Sequence, residues 1–386
     1  MKKVYLDNAA TTRPHPKVAE AMQPYFTELF GNPLSLHSYG QAAKKAIDEA
    51  REKVARLINA KPSEIIFTST GTEANNFAIK SAAAANQQKG KHIIISGIEH
   101  HSVLYSAKAM EKLGFKTTLL PVDKYGIVDP GDVLKAITPE TILVSVMHSN
   151  NEIGTIEPIS EISKITKEKG VLLHADAAMS VGNIPVDVAE LGVDMLTMSA
   201  HKFYGPKGIG ALYVRKGARI VPFIHGGIQE DGRRAGADNV PGIVGMGMAA
   251  EIAMQELPER VKKITPLRDK LIKGLTEKIE HIHVNGHPTN RLPGNVNICI
   301  DYIEGEAMLL FLIKEGIAAS SGSTCTSKAL KASHVLLAIG VSDATAQSAL
   351  LFTLGRETTE EDIDHVLTVL PPIVERLRAM SPIYNK

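Results

Sequence analysis

Lys202 stands in the stretch of this sequence that offers the most chemistry. It follows the apolar run 195–198, which predicts a buried strand, and precedes the turn residues 205–206. Lys202 is therefore expected where a strand ends, the place where α/β sheets present reactive groups. Ser199 and His201 flank it with a hydroxyl and an imidazole. A lysine in this setting can form a Schiff base with an aldehyde cofactor while its polar neighbours hold a phosphate.

A lone lysine in a loop is usually an ordinary surface residue, so the prediction of a cofactor site depends on residues at three other predicted strand ends. Gly71 and Thr72 stand where a strand meets the start of a helix, which suits a phosphate. His100 follows the predicted strand 92–96 and can stack on a flat ring, and Asp176 ends another strand. Together they supply what pyridoxal phosphate requires: a phosphate cup, a lysine, a ring partner, and a carboxylate that keeps the pyridine nitrogen protonated.

The two cysteines lie in different surroundings. Cys299 falls in the apolar strand 295–300, where a cysteine behaves as a small buried hydrophobe. Cys325 falls in the polar Ser/Gly/Thr segment 320–327, which predicts an exposed thiol that can act as a nucleophile. Two cysteines indicate no disulfide framework and favour a reducing, cytoplasmic setting.

Composition excludes several classes of function. The 386 residues are 44% hydrophobic and 22% charged with a formal net charge of +1, so electrostatics favours neither nucleic acid nor an anionic membrane. No apolar run is long enough to span a bilayer. The His and Asp residues fall at no recognised metal-ligand spacing.

Alternating short strands and helices must position these groups. Strands are predicted at 92–96, 116–120, 142–147, 171–175, 195–198 and 209–214. Helices are predicted at 102–113, 130–136, 159–169 and 186–191. This alternation predicts an α/β fold with a mostly parallel sheet covered by helices, followed by a smaller α+β domain. We expect a large domain over 17–258 and a small domain from 1–16 and 259–386 that carries the cysteine segment.

Taken together, these motifs resemble the cysteine desulfurases of the aminotransferase class V group, which are fold type I pyridoxal-phosphate enzymes. The resemblance covers nearly the whole chain and is carried by residues 6–12, 30–33, 67–69, 99–100, 150–154, 174–178, 199–202, 239–242 and 320–327. Segment 320–327 is the specific one, because it separates desulfurases from ordinary aminotransferases. Its spacing to His334 is similar to the long-loop branch, which passes sulfur to scaffold and transfer proteins.

The resemblance implies a role for each matching position. It implies that Lys202 binds the cofactor covalently and moves protons at the substrate α-carbon, that Asp176 pairs with the pyridine nitrogen, and that His100 stacks on the ring. The further candidates are Gly71, Thr72, Ser199 and His201 for the phosphate, Asn151 and Met179 beside the cofactor, and Asn151 and Arg356 for the substrate. Cys325 would take sulfur from L-cysteine as a persulfide and leave L-alanine. The resemblance also implies a homodimer that serves an iron–sulfur scaffold or a tRNA-thiolation acceptor.

Three positions depart from the family pattern. Met179 replaces a Gln that bonds the cofactor's phenolic oxygen, and Ala237 replaces a Thr that reaches the partner subunit's phosphate. Leu351 replaces an Arg that pairs with the substrate carboxylate, which removes a bidentate clamp. Two alternatives therefore stay open: a related lyase or transferase with another sulfur or selenium substrate, and a degenerate subunit that carries sulfur without catalysis.

Overall fold

The structure, a computed structural model, describes residues 2–322, 332–382 and 384, so Cys325 lies outside the described residues. Its strands are β1 Val4–Tyr5, β2 Ile65–Thr68, β3 His92–Ser96, β4 Lys116–Leu120, β5 Thr141–Ser145, β6 Leu172–Asp176, β7 Met195–Ser199, β8 Gly210–Val214, β9 Ile282–Asn285, β10 Asn295–Ile300, β11 Ile317–Ala318 and β12 Ala349–Thr353. Its α-helices are α1 Pro16–Met22, α2 Pro24–Thr27, α3 Ser38–Leu57, α4 Gly71–Asn86, α5 His101–Glu111, α6 Pro130–Ala136, α7 Ile159–Lys169, α8 Val188–Leu191, α9 Val240–Lys278, α10 Gly305–Lys314, α11 His334–Ala338, α12 Asp343–Ala346 and α13 Glu360–Met380.

A seven-stranded, mostly parallel sheet forms the centre of the fold, in the order β2-β8-β7-β6-β5-β3-β4. Only β8 runs against its neighbours in this sheet, pairing antiparallel with both β2 and β7. The cause lies in the connection 200–209, which is too short for a crossover of about a dozen residues. The chain therefore turns back directly after β7, and Lys202 lies in that turn.

Burial on both faces explains why the strands are short apolar runs. Strands β3, β5, β7 and β8 are buried at every position. Helices α4 and α5 cover one face with apolar residues that include Phe77 and Val103. Helices α3, α7 and α9 cover the other, where Val54, Ile162 and Ile243 share one core. This is the arrangement that the alternating pattern predicts.

Helix α9 joins the large core to a second, smaller one. Its 39 residues contain Pro258 and Pro266. The part up to Ile252 packs in the large core, and the part from Ile264 onward packs with the antiparallel sheet β12-β10-β9 and helices α10 and α13. The domain boundary expected at residue 258 falls inside this helix and stays a prediction.

The structure shortens one predicted strand. We predicted a strand through residue 147, whereas β5 ends at Ser145. The Met147 N–H donates to the Glu99 carboxyl group at 2.6 Å, so it is withdrawn from the ladder with β3. Across residues 2–322, 332–382 and 384, none of the helices has the length and apolarity to cross a bilayer.

The crossing of α3 and α9 depends on a residue without a side chain. A Cβ atom at Gly247 would lie 2.7 Å from the Ala50 Cα, closer than real Cβ atoms approach backbone. Gly247→Ala should therefore lower the free energy of unfolding by about 1–2 kcal/mol. Because the nearest atom belongs to the backbone and cannot rotate away, the overpacking cost falls in the upper part of the usual range, about 2–3 kcal/mol, and exceeds the gain of about 1 kcal/mol in helix propensity.

Denaturant unfolding of the holoprotein measures this effect. Gln255→Ala, an exposed change on the same helix, should stay within about 0.5 kcal/mol of the parent. Equal stability of the Gly247→Ala and parent proteins would contradict this close packing.

Candidate active site

One cavity of about 360 Å³ opens at the carboxyl edge of the central sheet. Strands β2, β3, β5, β6 and β7 run in the same direction, so the segments that follow them meet there. The predicted cofactor residues that line it are Gly71, Thr72, His100, Asn151, Asp176, Met179, Ser199, His201 and Lys202. The fold therefore brings together residues separated by more than 130 positions in sequence.

The start of helix α4 forms one end of the cavity. Thr70 caps this sixteen-residue helix, its hydroxyl accepting the Glu73 N–H at 3.0 Å. A Cβ atom at Gly71 would lie 3.1 Å from the Ser199 Cβ, so glycine allows the helix start to approach the end of β7. The first N–H groups of a helix have no partner within it. Such N–H groups, with the Thr72 and Ser199 hydroxyls that line the same cavity, are a donor set that suits a phosphate.

His201 adds a neutral imidazole to this end. Its Nδ1 lies 3.1 Å from the Thr11 hydroxyl oxygen. Burial, with Lys202 and Lys207 nearby, lowers the pKa of His201 to about 4. The ring is therefore uncharged at neutral pH and can donate a hydrogen bond from one nitrogen only.

Lys202 lines the cavity from the 3₁₀ turn Ala200–Lys202. Its Nζ donates to the carbonyl oxygen of Ala9 and, at 3.0 Å, to that of Ala10. These hydrogen bonds hold the N-terminal segment against the turn, so residues from the start of the chain form part of the cavity wall.

Asp176 ends β6 and is 5% exposed. Its Oδ2 accepts from the Asn75 Nδ2 at 2.6 Å, and its Oδ1 accepts the Ala178 N–H at 3.0 Å. Asn75 Nδ2 also donates to the Ser102 hydroxyl at 2.8 Å. Two donors thus fix the orientation of a carboxylate held inside the cavity. Asn75, one turn after Gly71 on α4, went unrecognised in the sequence because a single Asn on an Ala-rich helix carries no motif.

His100 caps helix α5 on the opposite wall. The Ser102 N–H donates to its Nδ1 at 3.2 Å, so the neutral ring carries its proton on Nε2. Burial lowers the pKa of His100, and the Lys202 charge acts in the same direction. A neutral, fixed imidazole suits the stacking role that the sequence predicted.

Two of the departures lie at the cavity and one does not. Met179 and Leu351 both line it, whereas Ala237 lies exposed between the 3₁₀ turn Gln229–Gly232 and α9. Among the residues that the structure describes, no arginine lines this cavity. A substrate carboxylate here meets Lys202, imidazoles and amides rather than a guanidinium.

Arg356, the candidate substrate residue, lies elsewhere. It lines a smaller cavity beside Arg13 and His15. Its Nε donates to Glu256 Oε2 at 3.1 Å, which places the guanidinium in an ion pair with helix α9. The structure does not bring Arg356 to the other site residues, and its substrate role stays a prediction.

Of the two cysteines, the structure describes Cys299 and confirms that it is buried. Cys299 is buried in β10, where burial raises its thiol pKa to about 11. Cys325 lies outside the described residues, but Ser320 and Gly322, just before it in the chain, line the cavity. The buried Cys299 thiol, with its raised pKa, is a poor nucleophile at neutral pH.

The sequence also missed several titratable residues of the cavity wall: Asp7, Glu99, His101, Glu152 and His334. The Glu99 carboxyl group is fully buried, accepts from the Ser96 hydroxyl at 2.7 Å, and has its pKa raised well above the usual range by burial. Its partner Met147 comes from the neighbouring strand end, a pairing that no local pattern reveals.

The donor set fits pyridoxal phosphate. It combines helix-start amides and hydroxyls for a phosphate, an amine for the aldehyde, a fixed carboxylate for the ring nitrogen and a flat imidazole for the ring face. Across the described residues, no group of three or more His, Cys, Asp or Glu side chains is arranged to hold a metal ion.

Comparison with known proteins agrees with this geometry. The family model of aminotransferase class V matches residues 4–366. The cysteine desulfurase IscS of Dictyoglomus turgidum is 54% identical over 381 residues, covering 99% of this chain and 97% of its own. That of Methanosarcina thermophila is 53% identical over 385 residues, covering 100% of this chain and 95% of its own.

Solved structures agree as well. A NifS-like protein superposes with a TM-score of 0.92 at 40% identity, covering 97% of this chain and 100% of that one. The structure described as SspA in complex with cysteine superposes with a TM-score of 0.82 at 36% identity, covering 91% of this chain and 99% of that one.

Protonation of His174, on the strand that carries Asp176, should make the free energy of unfolding depend on pH. His174, fully buried on β6, lies between the Ser145 and Thr197 hydroxyls at 2.8 and 3.0 Å, and burial lowers its pKa from 6.5 to about 4. Between these values the unfolded chain binds a proton that the folded chain does not. The free energy of unfolding therefore falls as pH drops from 6.5 towards 4, by on the order of 3 kcal/mol for this group.

His174→Asn should make that slope shallower by the share of His174, because it removes one of the histidines, with His201, whose pKa burial lowers to about 4. The measurement is denaturant unfolding of the holoprotein at intervals between pH 7 and 4. The same replacement at exposed His225 should leave the slope as in the parent. An unchanged slope in His174→Asn would contradict the assignment.

Proposed function

The chain belongs to the aminotransferase class V family, and we propose that it removes sulfur from L-cysteine and holds that sulfur on Cys325 as a persulfide. It is a pyridoxal-phosphate-dependent cysteine desulfurase. The observation that carries the proposal is the convergence of Lys202, Asp176 and His100 on one cavity, with Ser320 and Gly322 on its wall. Similarity over the full chain to curated desulfurases supports the same reaction.

Bound pyridoxal phosphate supplies an electron sink that stabilises negative charge at the substrate α-carbon. The chain's part is to hold and polarise that group. Gly71, Thr72 and Ser199 would bind the phosphate, with the neutral His201 as a further donor. Asp176, fixed by two hydrogen bonds, would keep the ring nitrogen protonated.

Two side chains would handle protons. Lys202, which lines the cavity, would remove and return the proton at the substrate α-carbon through its Nζ. His100 stays neutral and carries its proton on Nε2, so it would stack on the ring and exchange a proton at that nitrogen. Asn151, on the same wall, would contact cofactor and substrate.

Cys325 would carry out the sulfur step. Its thiolate attacks the substrate sulfur, so an S–S bond forms while the substrate's carbon–sulfur bond breaks. The bonding electrons stay on the carbon fragment, which takes up a proton and leaves as alanine. Cys325 lies three positions after Gly322, so their Cα atoms can be at most about 11 Å apart, which supports access of Cys325 to the cavity.

We also propose a homodimer. The exposed apolar side chains Phe26, Phe30, Leu36 and Ile228 support it, with exposures of 58, 67, 92 and 74%. Large exposed apolar groups indicate an interface when they cluster. Residues 234–239 would then face the partner's site. We further propose a cytoplasmic location and a sulfur acceptor from iron–sulfur assembly or tRNA thiolation, in line with the relatives' IscS name.

Replacing the two cysteines one at a time tests the assignment of the nucleophile. Cys325→Ser should lose persulfide formation with L-cysteine while it retains bound cofactor, because the serine hydroxyl cannot take up sulfur. Cys299→Ser should keep the parent rate, since that thiol is buried and has a raised pKa. Mass spectrometry of the protein after reaction counts the added sulfur. Parent-level sulfur on Cys325→Ser would refute the mechanism.

Replacing Leu351 tests how the substrate carboxylate is held. A guanidinium–carboxylate contact contributes about 1.5–3 kcal/mol, so Leu351→Arg should raise kcat/KM for L-cysteine roughly ten- to hundredfold. Cofactor content must first match the parent, because Leu351 is 2% exposed and a larger side chain can disturb the site.

Arg356→Ala serves as the paired variant. It should leave kcat/KM nearly unchanged, because Arg356 pairs with Glu256 away from the cavity. A large loss in Arg356→Ala, with no gain in Leu351→Arg, would show that Arg356 binds the carboxylate.

A further inference from the structure

The carboxyl group of Glu152 connects the large core to the two ends of the segment that carries Cys325. Glu152 follows β5 and is 5% exposed. Its backbone is fixed from both sides: its N–H donates to Asn150 Oδ1 at 2.8 Å, and its carbonyl accepts from Asn295 Nδ2 at 3.0 Å. The side chain therefore projects from a rigid position at the cavity wall.

Ser333, on the carboxyl side of residues 323–331, donates its hydroxyl to Glu152 Oε2 at 2.5 Å. The Ser333 Oγ also caps helix α11 by accepting the N–H groups of Val335 and Leu336 at 3.1 and 3.3 Å. Ser333 is 4% exposed, so this contact is shielded from water. One hydroxyl thus ties the start of α11 to the large core.

Gly322, on the amino side, approaches the same carboxyl group. Its φ is +87°, and a Cβ there would lie 3.2 Å from Glu152 Oε2. The positive φ favours glycine, and a side chain at this position would also press closely on the Glu152 carboxyl group. Just before it, Ser320 exchanges backbone hydrogen bonds with Leu351 on β12, at 3.1 and 2.6 Å. The amino end is therefore held by two backbone bonds, and the carboxyl end depends on the Ser333–Glu152 contact.

We propose that Glu152 is a positioning residue for the sulfur step: by holding Ser333 it fixes the point from which the chain continues after residues 323–331, the range that includes Cys325. This inference rests on the proposed role of Cys325. Glu152 touches neither sulfur nor the reacting carbon in this proposal. Its burial raises the pKa of its carboxyl group, and either protonation state can accept the Ser333 hydroxyl.

The test separates substrate binding from sulfur transfer. Single-turnover mixing of holoprotein with L-cysteine gives two readouts: the spectral change of the cofactor, and the rate of sulfur addition to the protein by mass spectrometry. Ser333→Ala and Glu152→Leu should each slow sulfur addition about ten- to hundredfold, the cost of a misplaced reacting group. The concentration dependence of the spectral change should stay within about twofold of the parent, because cofactor and substrate contacts remain.

Three further variants sharpen the result. Ser342→Ala is the matched control, because Ser342 caps the short helix α12 in the same way and contacts Thr345 rather than Glu152. It should keep the parent rate. Glu152→Gln retains an acceptor for Ser333 and should restore most of the rate. The Glu152→Leu/Ser333→Ala double variant should be no slower than Ser333→Ala alone, because Ser333→Ala already breaks the contact with Glu152.

Each outcome either supports or overturns the proposed positioning role of Glu152. Parent-like sulfur addition in folded, cofactor-loaded Ser333→Ala would overturn the proposal, and so would equal slowing in Ser342→Ala, additive losses in the double variant, or an altered spectral titration. If Glu152→Leu does not fold, Ser333→Ala and its control decide alone. Absence of sulfur addition in the parent would instead overturn the proposed function.

Discussion

Parallel strands that end at one edge of a sheet bring the site together, and every later feature depends on that constraint. Strands β2, β3, β5, β6 and β7 each pass into a segment that carries polar side chains. The short antiparallel return from β7 to β8 adds the lysine, because it leaves Lys202 in a turn rather than on a covering helix. The N-terminal segment then closes the wall through the Lys202 contacts to the backbone of Ala9 and Ala10.

Burial determines which groups in the cavity carry charge. His201 stays neutral because burial and two nearby lysines lower its pKa to about 4, and burial also lowers the pKa of His100. Glu99 is fully buried, and burial raises the pKa of its carboxyl group well above the usual range. Asp176 is held by Asn75 and the Ala178 N–H. The cavity thus places the Asp176 carboxyl group, fixed by two hydrogen bonds, and the Lys202 amine beside neutral imidazoles, which suits an anionic cofactor with a cationic ring nitrogen.

The sequence predicted the parts of the site that depend on local pattern. Helices α6 and α7 and strand β3 have the predicted bounds, because capping residues and apolar runs mark them. The predicted cofactor residues line one cavity because each follows a strand. Asn75, Glu99 and Glu152 were missed, since their partners Asp176, Met147 and Ser333 lie 101, 48 and 181 positions away. The pairing of Arg356 with Glu256 was missed for the same reason, because the two residues are far apart in the sequence. No local pattern therefore indicated that Arg356 lies away from the cavity.

The most direct test of the account is a single turnover without reductant, in which holoprotein at a concentration above that of L-cysteine is quenched and both products are counted. The account predicts alanine and protein-bound sulfur in equal amounts, with each mole of L-cysteine consumed giving about one of each, because the sulfur that leaves the substrate stays on a cysteine thiol. Alanine formed without protein-bound sulfur, or consumption of L-cysteine without alanine, would contradict it.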